Sequence, residues 1–100
     1  MATEDPDYLA WVRRQRCAVP GCESSSEAHH PRHDVGLGLR AHDHRAIPLC
    51  HQHHAELHGL CGYFKGWSRE QVRAFCERES AATRARYLGA AGLHVETIPF

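Results

Sequence analysis

Long apolar runs and secretion signals are missing from this sequence of 100 residues. No stretch approaches the roughly 20 apolar residues that a transmembrane helix needs. The N-terminal segment is acidic, and neither the basic start nor the apolar run of a signal peptide is present. We therefore expect a soluble, cytoplasmic protein that has no membrane partner.

An excess of positive charge is also absent, since 12 lysines and arginines balance 12 acidic residues. A nucleic-acid-binding domain often carries a general basic field, and this chain has none. The absence counts only weakly against DNA, because arginines gathered at one cleft and bound metal cations can supply positive charge locally. Net charge alone therefore leaves the partner open.

Neither an internal repeat nor a second domain is visible, so residues 1–100 are interpreted as one small α+β domain. A domain of this size buries a modest core and is helped by an additional staple. The five cysteines are odd in number and accompany ten histidines, which favours metal binding over a disulfide framework. We divide the domain into an N-terminal helix within residues 1–16, a metal-binding core at 17–58, and an aromatic cluster, C-terminal helix and tail at 59–100.

Local patterns predict the elements of the first half. Asp5-Pro6 predicts the start of a first helix, because a capping carboxylate followed by proline is typical of a helix N-terminus. This helix is expected to end within residues 14–16. Residues 34–40 alternate apolar residues with glycine, which suits a looping hairpin. Residues 47–49 are predicted as a short return strand, and a central helix is expected to start just after Cys50.

The C-terminal part begins with an aromatic cluster and continues as a long helix. Core packing is the favoured role of Tyr63, Phe64 and Trp67, with base stacking as the alternative. Ser68 opens a capping box, and the helix that follows is predicted to stop at Gly89. Its arginines could contact phosphate, although a solvated charged face is the favoured interpretation. These arginines are Arg69, Arg73, Arg78, Arg84 and Arg86.

Two pairs of soft ligands predict a structural zinc. Cys17 and Cys22 flank a Pro-Gly turn that brings two thiols together, as in a zinc knuckle. Cys50 and His53 have the spacing of ligands at a strand-to-helix corner. Three thiolates and one imidazole make a closed tetrahedral site, which would tie the N-terminal segment to the central helix.

A second set of imidazoles consists of His29, His30, His54 and His58. His54 and His58 are one helical turn apart and share a face. His29 and His30 are adjacent, so in an extended strand they point to opposite sides, and one can bind a metal while the other moves a proton. Three imidazoles with open coordination positions suit a catalytic divalent ion. His51 stays open as a substitute ligand if the central helix begins one residue earlier.

The order of these motifs is paired cysteines, then His-His-Pro-Arg at residues 29–32, then a hairpin, then Ile-Pro-Leu-Cys-x-x-His-His-x-x-Leu-His at 47–58. The combination resembles HNH (ββα-metal, His-Me finger) endonucleases, in particular a small phage-associated nuclease and recombination branch with a structural zinc. The similarity covers about residues 17 to 58. It implies a small, zinc-stapled ββα-metal (HNH) core with flanking N-terminal and C-terminal helices.

The resemblance also implies roles and an activity. His29 would bind the catalytic metal together with His54 and His58, and His30 would be the general base. The implied reaction is metal-dependent hydrolysis of DNA phosphodiester bonds, by nicking or cleavage with little intrinsic sequence specificity, and it leaves 5′-phosphate ends. The expected cofactors are a structural Zn²⁺ and a catalytic divalent ion, which could be Mg²⁺, Mn²⁺, Ni²⁺ or Zn²⁺.

The chain departs from the family in having no asparagine. In the family an asparagine lies in the hairpin and orients the general base. Asp43 is our choice for the replacement, because a carboxylate can hold the imidazole tautomer and strengthen its basicity. His44 and Arg45 lie at least as close by spacing and remain alternatives. The missing asparagine also leaves an inactive descendant open.

Arg32, Arg40 and Arg45 flank the proposed site and are predicted phosphate contacts. DNA is the expected partner, while a targeting protein partner and the oligomeric state stay open. The alternative function is a non-catalytic zinc-binding module that recognises nucleic acid or protein. Such a module needs only the zinc ligands and leaves His29 and His30 without a role.

Overall fold

The structure is a computed structural model that describes residues 4–32 and 42–90. The hairpin predicted at residues 34–40, the predicted phosphate contact Arg40 and the tail after Ala90 lie outside the described residues. In the described part of the chain, no helix is both long and apolar enough to cross a membrane.

The described residues form an α+β domain, which confirms the expected fold class. Its helices are α1 (Pro6–Arg13), α2 (His51–Gly59) and α3 (Arg69–Ala90), and its strands are β1 (Glu27–His29) and β2 (Ile47–Leu49). Two short 3-10 turns, Asp43–Arg45 and Gly62–Phe64, precede β2 and α3 respectively. The predicted return strand and the predicted start of the central helix are both confirmed.

The two strands pair antiparallel, with His29 opposite Ile47 and Glu27 opposite Leu49. Because β2 leads directly through Cys50 into α2, this pairing brings the last residue of β1 to the side of α2. The backbone N–H of Ala18 donates to the carbonyl of Pro48 over 2.8 Å, so the segment around Cys17 lies against β2 as well.

Two apolar clusters hold the elements together. In the first, Phe64 is fully buried, and its ring lies 4.9 Å from Trp67 and 5.4 Å from Phe75, measured between centroids. Core packing of the aromatic cluster is therefore confirmed for Phe64, whereas the side chain of Tyr63 is exposed. In the second, Tyr87 of α3 packs edge-on against buried Tyr8 of α1 at 4.8 Å. This contact docks the N-terminal helix onto the long helix.

Capping side chains explain the helix starts. The carboxylate of Asp5 accepts the N–H of Tyr8, which fixes the first turn of α1. Ser68 and Gln71 exchange hydrogen bonds across the first turn of α3, as the capping box predicted. The predicted stop of this helix is wrong by a small margin, because Gly89 and Ala90 are still helical. Glycine weakens a helix without having to end it.

The end of α2 carries a strained residue. The helix ends at Gly59, but the left-handed cap residue is Leu60, with φ 51° and ψ 50°. This conformation costs a residue with a side chain about 1–2 kcal/mol relative to glycine. The side chain of Leu60 is 44% exposed, so its partial burial offsets only part of that cost.

We therefore expect Leu60→Gly to raise the free energy of unfolding by at most about 1 kcal/mol, because the relief of strain exceeds the loss of the partly buried side chain. Such a gain corresponds to a rise in the melting temperature of roughly 4–8 °C for a domain of this size. Thermal unfolding followed by circular dichroism measures it. A lower melting temperature would mean that the contacts of the Leu60 side chain outweigh the strain.

Candidate metal centres

A tight turn prepares the first centre. The N–H of Cys22 donates to the carbonyl of Val19 over 3.1 Å, and Gly21 adopts φ 82°, which only glycine takes without strain. The turn folds Cys22 back toward Cys17. Because this segment is pinned to β2, both thiols lie beside Cys50, the N-cap residue of α2.

The four predicted zinc ligands, Cys17, Cys22, Cys50 and His53, lie together, with one ligand atom from each within 4.8 Å of the others. The Nδ1 atom of His53 is 3.3 Å from the Sγ of Cys50 and 3.5 Å from that of Cys17. The Sγ atoms of Cys22 and Cys50 are 3.9 Å apart. Tetrahedral zinc with Zn–S near 2.3 Å and Zn–N near 2.0 Å places its ligand atoms about 3.5–3.8 Å apart. The cluster therefore has the dimensions of a zinc site.

Electrostatics at this cluster also favour a bound cation. Burial raises the pKa of the Cys17 thiol, whereas a backbone hydrogen bond at Ser24 lowers the pKa of Cys22. A buried thiol with a raised pKa becomes a thiolate only when a positive charge balances it, and zinc supplies that charge. All five cysteines are free thiols, so no disulfide competes for these sulfurs.

The second centre consists of His29, His54 and His58, whose nearest ligand nitrogens also lie within 4.8 Å of one another. The ring centroids are 5.0 Å apart for His29 and His54, and 4.8 Å apart for His54 and His58. His29 is buried at the end of β1, while His58 is exposed on α2. The three imidazoles therefore form a group that is closed on one side and open to solvent on the other.

The protonation state of His29 suits a ligand. Burial lowers its pKa to about 3, with a smaller contribution from the neighbouring imidazoles of His54 and His58. The ring is consequently neutral at physiological pH, which is the form that binds a metal.

Glu27 orients one member of this group, and the sequence analysis did not identify it. Its Oε1 atom lies 2.7 Å from Nδ1 of His54, which leaves Nε2 of that ring for a metal. Its Oε2 atom lies 3.0 Å from Nδ1 of His51, whose side chain is 90% exposed. His51 thus belongs to neither ligand group of the described residues. A carboxylate two positions before a predicted ligand, on the same face of a strand, was the available signal.

We expect Glu27→Gln to weaken metal binding at the three-histidine group by about 10- to 100-fold. The neutral amide is a weaker hydrogen-bond acceptor than the carboxylate, so it holds the His54 ring less firmly. Calorimetric titration of the zinc-loaded protein with Mn²⁺ or Ni²⁺ measures this affinity. Glu79→Gln, a partly buried carboxylate of α3 outside both ligand groups, is the control that should leave the affinity unchanged. Equal affinities of the two variants would show that Glu27 does not act on the metal site.

The side chains of His30 and Asp43, predicted as the general base and the residue that orients it, are in contact. The Nε2 atom of His30 lies 2.9 Å from Oδ1 of Asp43, whose side chain is 2% exposed. The second oxygen of Asp43 accepts the backbone N–H of Asp5 over 2.7 Å. The alternative His44 points elsewhere, since its Nε2 atom lies 2.9 Å from the carboxylate of Asp5. Of these two alternatives, Asp43 is the residue that contacts His30.

A cleft of about 370 Å³ opens beside the three-histidine group and is partly lined by His29 and His58. Among the predicted phosphate contacts, Arg32 lines this cleft. Cys76 also lines the cleft, and burial raises the pKa of its thiol to about 11. The positive charge of Arg45 partly offsets this rise, so Arg45 lies near Cys76. Arg69 of α3 lines the cleft as well.

Comparisons with known proteins give a family without a function. The model of the family described as "Protein of unknown function (DUF968)" matches residues 1–79, which include both ligand groups. The "Uncharacterized protein YdfU" of Escherichia coli (strain K12) is 42% identical over 52 residues, covering 51% of this chain. The matched region spans only 15% of that protein's length. No solved structure matches this chain.

Proposed function

This chain belongs to the DUF968 family of proteins of unknown function, and we propose that it is a metal-dependent endonuclease that hydrolyses DNA phosphodiester bonds. One observation carries the proposal. His29 of the three-imidazole group and His30 of the pair with Asp43 are consecutive residues, so the chain connects a metal-binding group directly to an oriented base.

The arrangement of the elements supports an HNH-type ββα-metal core. β1 and β2 form the antiparallel pair, and α2 follows at once. His29 at the end of β1 and His54 and His58 on α2 are the proposed ligands of the catalytic ion. A divalent ion bound there would stabilise the negative charge that develops on the phosphate and on the departing 3′ oxygen.

His30 is the proposed general base. The carboxylate of Asp43 accepts a hydrogen bond from the Nε2–H group of His30, which leaves Nδ1 as the basic nitrogen. This nitrogen would remove a proton from a water molecule as the water oxygen attacks phosphorus and the bond to the 3′ oxygen breaks, leaving a 5′-phosphate. The buried carboxylate of Asp43 then stabilises the imidazolium that forms. Asp5 in turn holds Asp43 through its backbone N–H.

Phosphate contacts are assigned to arginines at the cleft. Arg32 lines it, and Arg45 lies near its wall, while Arg40 stays a sequence-based proposal. The preference for DNA over RNA comes from the resemblance to HNH enzymes alone. Weak sequence specificity is part of the proposal, because a domain of 100 residues offers little surface for reading bases. A targeting partner is also part of it, because the chain has no net charge to attract nucleic acid from a distance.

The second candidate function is a non-catalytic zinc-binding module that recognises nucleic acid or protein. One observation favours it: the Cys3His cluster is complete by itself and needs none of the other histidines. The two functions differ in metal content. A module binds one ion per chain, whereas the nuclease binds two.

Plasmid cleavage tests the proposed function. Supercoiled DNA is incubated with the zinc-loaded protein and Mg²⁺, Mn²⁺, Ni²⁺ or additional Zn²⁺. We expect nicking by the wild type and by His51→Ala, and a rate at least about a hundredfold lower for His54→Ala. Both substituted residues lie on α2, but only His54 belongs to the ligand group, so His51→Ala is the matched control. Equal zinc content and circular dichroism spectra exclude misfolding. Equal rates for the two variants, or no cleavage of either plasmid or single-stranded DNA with any ion, would reject the nuclease.

A further inference from the structure

The cleft beside the three-histidine group has an apolar floor. It lies between the end of β1, the C-terminal end of α2 and the start of α3, and its volume is about 370 Å³. This is near the lower end of the range of about 300–1,000 Å³ for small-molecule sites. The cleft therefore has room for one nucleobase with its sugar. Its lining residues are His29, Pro31, Arg32, Leu57, His58, Leu60, Arg69, Val72 and Cys76.

Leu60 is the unusual member of this lining. It is held in the left-handed conformation, and its large apolar side chain is 44% exposed. Glycine would fit this backbone better, and nearly half of the apolar side chain contacts solvent. Backbone strain that the fold does not require is commonly found at sites that contact a ligand.

The charges around the cleft complement an anion with an apolar body. Arg32, just after β1, and Arg69, at the start of α3, both line the cleft, and none of the described residues that line it is acidic. Guanidinium groups bind phosphate oxygens, while leucine, valine and proline surfaces contact a base face. A nucleotide combines both parts.

We propose that this cleft receives one unstacked nucleobase of the strand whose phosphate lies at the three-histidine group, and that Leu60 contacts the face of this base. The proposal rests on the proposed function and adds a substrate class to it. Inside a continuous duplex both faces of a base are covered by its neighbours, so only a base edge is accessible. The preferred substrate is consequently DNA with unpaired nucleotides, such as a single strand, a flap or a gap.

Strand binding without cleavage tests the cleft. Fluorescence anisotropy of the zinc-loaded protein of 100 residues, with no second metal added, compares a short thymidine strand, the same strand with abasic sugars, and a duplex of equal length. We expect the thymidine strand to bind about tenfold more tightly than the abasic strand. Leu60→Gly should remove this difference, while Leu60→Met should keep it. Arg69→Gln should weaken both strands alike and reduce the salt dependence.

Several outcomes would overturn the proposal. These are equal binding of thymidine and abasic strands, duplex binding as tight as strand binding, or no effect of Leu60→Gly. A wild-type dimer that Leu60→Gly converts to a monomer would assign the cleft to a second copy of the chain. Tighter binding of every nucleic acid by Leu60→Gly would assign it to a segment of the chain itself.

The outcome also separates this proposal from the proposed function. A protein that discriminates between the strands but cuts no DNA would support the cleft and reject hydrolysis. A protein that cuts single strands and duplex equally would support hydrolysis and reject the cleft.

Discussion

Cys50→Ser is expected to remove the structural zinc and most of the folded stability with it. Cys50 is both a proposed zinc ligand and the N-cap of α2, where its Sγ atom lies 3.4 Å from the N–H of His53. Serine preserves the cap, because a hydroxyl oxygen accepts the same hydrogen bond. The variant therefore isolates the loss of a thiolate ligand from the loss of a helix cap.

The expected effect of Cys50→Ser is large. Structural zinc contributes about 10–16 kcal/mol of apparent binding free energy in zinc-finger peptides. That is as large as the whole stability of a typical domain, about 5–15 kcal/mol. The knuckle at Cys17–Cys22 and α2 are linked to each other through this cluster, so both segments should separate when it opens.

Zinc analysis and thermal unfolding, with and without a chelator, measure this effect. The wild type should hold zinc and lose its cooperative transition when the chelator is added. Cys61→Ser is the matched control, since Cys61 is an exposed free thiol outside both ligand groups. If Cys50→Ser melts like this control and keeps its zinc, the Cys3His cluster is not a structural site.

His30→Ala is expected to lower the rate of DNA cleavage by about 10²- to 10⁴-fold, the usual contribution of a general base. Metal binding should be unaffected, because His30 does not belong to the three-histidine group. The side chain is 30% exposed, so its removal should not unfold the protein. A rate that survives this substitution contradicts the assigned mechanism.

Asp43→Asn tests the same assignment through the partner residue. The amide keeps the shape of this buried side chain but has one acceptor oxygen, so it cannot accept from both Asp5 and His30, and it cannot stabilise an imidazolium by charge. We expect a lower cleavage rate with unchanged folding. His44→Gln, on the same 3-10 turn but bonded to Asp5, is the control that should retain the rate. Single-turnover cleavage at saturating metal compares His30→Ala, Asp43→Asn and His44→Gln with the wild type.

The ligand pairs within each group were predictable from sequence because the spacing inside a pair is local and rigid, and the pairs were then combined by the number of ligands that a metal needs. A Pro-Gly turn brings Cys17 and Cys22 together, and helical periodicity places His54 and His58 on one face. The helix starts were equally readable, since Asp5 and Ser68 have the capping chemistry that the structure shows.

Contacts that join distant segments were not predictable in the same way. Asp43 was chosen for its chemistry, but spacing could not distinguish it from His44, because the two side chains diverge on a 3-10 turn. Glu27 was missed because its role depends on how β1 packs against α2. Leu60 was missed because glycine is the usual left-handed residue, and Gly59 stood beside it.

The central claim is that α2 supplies ligands to two metal sites, and the number of ions bound per chain tests it most directly. Metal analysis follows equilibrium dialysis of the purified protein against Zn²⁺ and then against Mn²⁺. We expect two ions for the wild type and for His51→Ala, but one ion, the zinc, for His54→Ala. A wild type that binds a single ion, or a His54→Ala protein that still binds two, would contradict the second metal site and with it the catalytic role of the histidines around it.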